Sequence, residues 1–124
     1  MMQLISIAIG GAIGALCRYG LSITIHNWLG RGFPYGTIGV NILGSFTMGI
    51  CYVMLIERLN VSTELRAGVM VGVLGAFTTF SMFSIETLNL IEAGESMKAG
   101  INILLSVTLC VSGCWLGMVL GRQV

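Results

Sequence analysis

Four long runs of apolar residues, separated by short polar stretches, dominate the pattern of this chain. A helix needs about 20 largely apolar residues to cross a bilayer. The runs therefore predict four membrane-spanning helices, at about residues 4–28, 36–56, 67–91 and 99–120. Pro34 and its neighbouring glycines mark the first connection as a turn. We predict an all-α membrane protein with a single integral-membrane domain over residues 1–124.

The third run is unusual because polar residues interrupt its middle. Residues 72–86 contain two glycines, two adjacent threonines, two serines and a glutamate among their apolar neighbours. Non-helical backbone at membrane depth persists only where protein or a water-filled cavity satisfies its polar groups. This stretch therefore predicts that the third helix is broken at its middle, and that the break marks a binding site or a pathway.

Glycines spaced four residues apart indicate close packing of the other spans. The first run has this spacing at Gly10 and Gly14, and the fourth has it at Gly113, Gly117 and Gly121. Small residues at this interval let helix backbones approach each other. We expect a compact bundle that also self-associates, because four helices alone enclose little space.

Composition agrees with a membrane protein and excludes several functions. The chain is 56% hydrophobic and 9% charged, with a mean hydropathy of +0.96 and a net charge of +1. Such a chain offers no basic surface for nucleic acid, and it contains no enzyme motif. Its start lacks the basic region of a cleavable signal peptide. The chain has no C-x-x-C pair and no Cys/His cluster with metal-ligand spacing, so we expect free thiols; the cysteines are Cys17, Cys51, Cys110 and Cys114.

The charges that flank the spans give almost no orientation bias. One side of the membrane would hold Arg58, Arg66 and Arg122, and the other would hold Arg31 and Lys98. Positive residues favour the inner side, and three against two is nearly balanced. Insertion in both orientations, giving an antiparallel dimer, and insertion in a single weakly favoured orientation are therefore equally compatible with the count.

The charged residues Arg18 and Glu86 and the amide Asn41 lie within predicted spans. Arg18 would either attract an anion or be satisfied by Glu86 or by carbonyls at a helix end. Glu86 would serve as a proton site or as the partner of Arg18. The Asn41 amide suits weak anion binding, although an interhelical hydrogen bond is the more common role of such a residue.

Two phenylalanines and several hydroxyls surround the interruption. Phe80 and Phe83 project from nearly one helix face, and aromatic rings have positive edges that can contact a small anion. Without further context, a phenylalanine pair is more often simple packing. Carbonyls at a break near Thr78 and Thr79 suit Na⁺ or K⁺.

Three blocks together resemble the CrcB/Fluc family of fluoride channels. They are GGAIGALCRY at residues 10–19, GTIGVNILGSF at residues 36–46 and GAFTTFSMFSIE at residues 75–86. The resemblance covers essentially the whole chain, and the T-T-F-S-x-F pattern is its most specific part. It implies a dual-topology, antiparallel homodimer with two pores in the inner (plasma) membrane. It further implies passive export of F⁻ that lowers fluoride toxicity in the cytoplasm, with fluoride, membrane lipid and a second copy of the chain as partners, and no nucleic acid.

The resemblance also implies roles for particular residues. Backbone carbonyls of Gly75 and Thr78 from both subunits would hold a central structural Na⁺. Arg18 and Glu86 would be structural or would line a vestibule. The fourth span departs from the family, because Asn102, Cys110 and Cys114 surround its serine where hydroxyl or tyrosine side chains are frequent. The fluoride pathway would be lined by Asn41, Phe80, Phe83, Thr79, Ser81 and Ser106.

Two other functions are compatible with the residues alone. A small secondary transporter would couple H⁺ or Na⁺ to a solute through Glu86 and the interruption of the third span. A structural membrane subunit would use the glycine-rich helices for packing and would have no pathway.

Overall fold

The computed structural model describes all 124 residues and contains helices and turns but no β-strand. Four helical spans are long and apolar enough to cross a membrane. This confirms the predicted all-helical, four-span architecture. Each span is slightly longer than its apolar run indicated, because polar residues continue the helices beyond the runs. The spans are Met2–Leu29, Tyr35–Arg58, Thr63–Glu92 and Ser96–Gln123.

Two of the spans change helix type along their length. The first and fourth spans are continuous α-helices, α1 (Met2–Leu29) and α6 (Ser96–Gln123). The second begins as α2 (Tyr35–Tyr52) and ends as a π-helix over Val53–Arg58. The π-helical stretches, in which the backbone hydrogen bond is one residue longer, were not predicted. The third span comprises α3 (Thr63–Arg66), a π-helix over Ala67–Leu74, α4 (Gly75–Phe77) and α5 (Phe80–Glu92).

Glycines bring α1 into backbone contact with the third span. A Cβ atom added to Gly10 would collide with the carbonyl oxygen of Gly68, and one added to Gly14 would collide with the carbonyl of Val73. Only glycine permits two backbones to approach so closely. Gly10 and Gly14 thus form the close helix contact that their four-residue spacing predicted. The contact fixes the third span immediately before its polar stretch.

A second close contact joins α2 to α6. A Cβ on Gly49 would meet the carbonyl oxygen of Cys114, and one on Gly117 would meet the carbonyl of Phe46. At the end of these spans Arg122 forms a salt bridge to Glu57, with its Nη2 atom 3.0 Å from Oε2. The Arg58 guanidinium donates to the Arg122 carbonyl at 2.6 Å. The two spans are thus held together along their length and at one end.

Most of the surface of the single chain is apolar. Only 21 of the 124 residues are buried. Large side chains such as Leu16, Val111 and Trp115 are mostly exposed, which is the arrangement expected where lipid or another protein surface replaces water.

Candidate functional site

The polar stretch of the third span contains two residues that leave the helical conformation. Thr78 has φ −87° and ψ 158°, and Thr79 has φ −150° and ψ 120°, both extended. The span bends by only 13°. The predicted broken helix, in the sense of two halves that diverge in direction, is therefore not confirmed. The interruption is local and affects backbone hydrogen bonding rather than the course of the span.

The side-chain amide of Asn41 pairs with the backbone of Thr79. Its Nδ2 atom donates to the Thr79 carbonyl at 2.9 Å, and its Oδ1 atom accepts from the Thr79 N–H at 2.7 Å. The amide thus supplies both partners that the extended Thr79 backbone lacks. One N–H of the amide is used in this way, and the amide still lines the cavity described below. The pairing was not predicted, because a sequence does not show which backbone group faces a given amide.

Thr79 also forms the N-terminal cap of α5. Its Oγ1 atom accepts from the Met82 N–H at 3.2 Å and lies 3.3 Å from the Ser81 hydroxyl oxygen. The neighbouring Thr78 hydroxyl donates to the Leu74 carbonyl at 3.1 Å. Side-chain capping satisfies an N–H that the first turn of a helix leaves free. Because helix N-termini carry partial positive charge, this end of α5 favours an anion.

These pairings leave two carbonyls without their usual helical donors. In an uninterrupted helix the N–H of Thr79 would donate to Gly75, and the N–H of Met82 would donate to Thr78. Here the first donates to Asn41 and the second to the Thr79 hydroxyl. Gly75 is also exposed on the surface of the chain. Carbonyl oxygens in this condition fit the chemistry of a hard cation such as Na⁺.

Arg18 contacts the same interruption from α1. Its Nε atom donates to the carbonyl of Ala76 at 3.2 Å, and the side chain is half-buried. The sequence left three roles open for Arg18, and the structure places it at carbonyls of a helix end. No salt bridge joins it to Glu86.

Glu86 lies in a separate polar cavity near the first connection. Its Oε1 atom is buried and has no hydrogen-bond partner. The cavity has a volume of about 390 Å³ and is also lined by His26, Arg31, Asn89 and Glu95. The structure thus does not bring Arg18 and Glu86 together, and it places Glu86 midway along α5.

The aromatic pair lies immediately after the interruption. The ring centroids of Phe80 and Phe83 are 5.3 Å apart, with an angle of 45° between the ring planes. Phe83 is 9% exposed, whereas Phe80 is 75% exposed in the single chain. One ring is therefore fixed by packing, and the other extends onto the surface of the chain.

A chain of buried hydrogen bonds connects the third span to the fourth. Asn102 donates from Nδ2 to the Thr87 hydroxyl oxygen at 2.8 Å, and that hydroxyl donates to the Phe83 carbonyl at 2.7 Å. The Ser106 hydroxyl lies 3.3 Å from Asn102 Oδ1. Thr87 was not recognised as a site residue from the sequence. The signal available was its position four residues after Phe83, within an otherwise apolar helix face.

Most of the residues predicted to form the fluoride pathway line a single groove. It has a volume of about 370 Å³ and lies between α2, the interruption and α6. Ser81 does not line the groove, although its hydroxyl is close to that of Thr79. The groove also exposes Thr78, Ser45, Met48, Cys110 and Cys114. The predicted pathway residues that line it are Asn41, Thr79, Phe80, Phe83 and Ser106.

The chain is similar to known proteins over nearly its whole length. The family model described as "CrcB-like protein, Camphor Resistance (CrcB)" matches residues 5–118. A relative from Magnetococcus marinus, named fluoride-specific ion channel FluC, is 53% identical over 99% of this chain and 100% of its own length. A relative of the same name from Coxiella burnetii (strain Dugway 5J108-111) is 48% identical over 98% of this chain and 99% of its own length.

A third relative is longer. The protein of that name from Methylococcus capsulatus is 52% identical over 98% of this chain, and the chain spans 54% of its length. The matches cover all four spans and the stretch between residues 72 and 86. The chain is thus a multi-pass membrane protein that belongs to the CrcB family.

Proposed function

We propose that this protein is a fluoride-specific ion channel that lets F⁻ leave the cytoplasm passively and so lowers fluoride toxicity. The observation that carries the proposal is the groove in which Asn41, Thr79, Phe80, Phe83 and Ser106 meet. The name of the relatives, fluoride-specific ion channel FluC, supports the choice of ion. An ion channel has no catalytic residues, so we assign no enzymatic activity.

Fluoride is small and strongly hydrated, so a selective path must replace its water with several close donors. The groove offers the positive ring edges of Phe80 and Phe83. It also offers the second N–H of Asn41, the Thr79 hydroxyl and the positive end of α5. None of these donors carries a full charge, which permits release as well as entry.

We propose further that two copies assemble as an antiparallel homodimer with two pores. The nearly balanced flanking charges permit insertion in both orientations. Phe80 is largely exposed in the single chain, and Gly75 lies on its surface. Burial of both against a second copy would complete a narrow path on each side of the dimer axis.

A central structural Na⁺ completes the proposal. The Gly75 and Thr78 carbonyls would hold it from both subunits, since their usual helical donors are engaged by Asn41 and the Thr79 hydroxyl. A bound cation would supply positive potential that offsets part of the cost of dehydrating F⁻.

A second candidate function is a secondary transporter that couples protons to a solute through Glu86. The buried and unpartnered Oε1 atom of Glu86 favours it. The two functions differ in their response to gradients. A channel releases F⁻ only down its own gradient, whereas a coupled transporter accumulates its solute when a proton gradient is imposed.

Purified protein in liposomes loaded with fluoride tests the proposal directly. We expect rapid F⁻ loss that follows the F⁻ gradient and the membrane potential. Accumulation of F⁻ against its gradient, driven by imposed protons and lost in Glu86→Gln, would replace the channel with the transporter.

A further inference from the structure

The groove changes its chemistry along α6. Near Ser106 its lining offers hydroxyl and amide groups, but one and two turns further it is lined by the thiols of Cys110 and Cys114. Across from them, α2 contributes the thioether of Met48. Thiols donate hydrogen bonds weakly and a thioether donates none. This part of the groove therefore offers fluoride few hydrogen-bond donors, and its sulfur atoms suit a different ligand.

The spacing of the two thiols suits a bridging atom. Cys110 and Cys114 are four residues apart on one helix face, which places their Cβ atoms roughly 5–6 Å apart. A disulfide needs about 3.5–4.5 Å between Cβ atoms, so this pair is poorly placed for one. Both thiols are free and half-buried. With the Met48 thioether they line the same groove, so three sulfur atoms are available there as ligands.

The surrounding structure fixes this geometry. The backbone of α2 touches α6 where Gly49 meets the Cys114 carbonyl, and Met48 is the residue before that contact. The Cys110 thiol lies beside the Ser45 hydroxyl. All three sulfur-bearing side chains thus line one groove between two helices that cannot easily separate.

We infer that Cys110 and Cys114, with Met48 as a third ligand, form a binding site for a thiophilic divalent metal ion such as Hg²⁺. Thiolates and thioethers prefer soft cations. On binding, each S–H bond is replaced by a sulfur–metal bond, and two thiols plus one M²⁺ give a bis-thiolate and two released protons. The product is neutral, which suits a groove that is otherwise lined there by Val107 and Val111.

The effect of this metal on ion flow rests on the proposed function, that the groove conducts F⁻. An ion in this position lies in the same groove as Asn41 and Ser106, so we expect its binding to obstruct the passage of F⁻. Inhibition would require no change elsewhere in the protein.

The test uses the full-length protein in liposomes and Hg²⁺ as the probe. Intact-protein mass spectrometry and thiol titration should show one mercury per chain and the loss of two titratable thiols in a Cys17→Ser/Cys51→Ser variant. The Cys110→Ser/Cys114→Ser variant should lose this bridged adduct and retain only separate reactions at the other two cysteines. Met48→Leu should weaken the adduct without abolishing it.

Fluoride efflux is measured on the same samples and compared with the untreated rate of each variant. Hg²⁺ should abolish most efflux wherever Cys110 and Cys114 are present, and dithiothreitol should restore it. Independent mercuration of single cysteines would overturn the site, and a bridged adduct with unchanged efflux would overturn the block. A protein without basal efflux would refute the channel instead, and the mass and thiol readouts would still decide the metal site.

Discussion

The amide of Asn41 and the backbone of Thr79 exchange two hydrogen bonds, as two residues of neighbouring β-strands would, in the middle of a helical membrane protein. The bonds measure 2.9 Å and 2.7 Å. Because Thr79 is extended, its N–H and carbonyl would otherwise lack partners in a region without water. The same pairing withdraws the Thr79 N–H from the Gly75 carbonyl. The Asn41 side chain on α2 therefore both pairs with the extended backbone of Thr79 and leaves the Gly75 carbonyl available to a cation.

Asn41→Asp should impair both fluoride passage and stability. The carboxylate keeps the acceptor for the Thr79 N–H but loses the donor to its carbonyl, and it adds negative charge beside an anion path. The bond is part-buried, and leaving the Thr79 carbonyl without its donor costs about 1–3 kcal/mol. We expect a lower thermal midpoint in detergent and little F⁻ efflux in liposomes. Asn89→Asp, outside the groove, is the matched control, and equal efflux from both variants would remove Asn41 from the account.

Thr79→Val should destabilise the start of α5. The substitution keeps the size of the side chain but removes the cap on the Met82 N–H, which is worth about 1 kcal/mol. Thr47→Val is the control, since the Thr47 hydroxyl only donates to Leu43 within its own helix. Thermal unfolding compares the two variants, and efflux at a temperature where both are folded shows whether the hydroxyl serves the path. A control as destabilised as Thr79→Val would contradict the capping role.

Phe80→Leu and Phe83→Leu should separate function from stability. Phe83 is buried, so its replacement should cost about 1 kcal/mol through imperfect packing, while exposed Phe80 should cost less in a single chain. Both lose a ring edge, so we expect reduced F⁻ efflux in both variants. Phe33→Leu changes an aromatic residue that does not line the groove and should leave efflux unchanged. Full efflux from Phe80→Leu would show that its ring does not contact the ion.

Sodium should stabilise the protein. A ligand that binds only the folded state raises stability according to its concentration relative to its dissociation constant. We expect Na⁺ to raise the thermal midpoint of protein purified without sodium, at constant ionic strength set with N-methylglucamine. Asn41→Ala should reduce this shift, because the Thr79 N–H then becomes free to occupy the Gly75 carbonyl. If Na⁺ does not change the thermal midpoint of the unmodified protein, that result would argue against the central ion.

The apolar runs predicted the four spans because membrane crossing imposes a length and a composition that a sequence displays directly. The glycines at Gly10 and Gly14 likewise indicated a close contact, although not the partner residues on the third span. Prediction was weaker where the partner of a polar group decides its role. Arg18 had three candidate partners in the sequence, and only the packing of α1 against the interruption places the Ala76 carbonyl within its reach.

The π-helical stretches and the link from Thr87 through Asn102 to Ser106 were also missed. Both depend on how neighbouring spans fit together, and residues 15 positions apart show no spacing signal that would relate them. The sequence did indicate a break in the third span, but the structure has two extended residues in a span that bends by 13°. A side-chain amide from another helix preserves the direction of the span where backbone bonding stops.

The most direct test of the central claim is anion efflux from liposomes that contain the purified protein, measured with fluoride and chloride electrodes in parallel. Liposomes that contain a fluoride-selective channel should lose F⁻ rapidly while they retain Cl⁻. Retention of both ions by a folded, reconstituted protein, or equal loss of both, would contradict it.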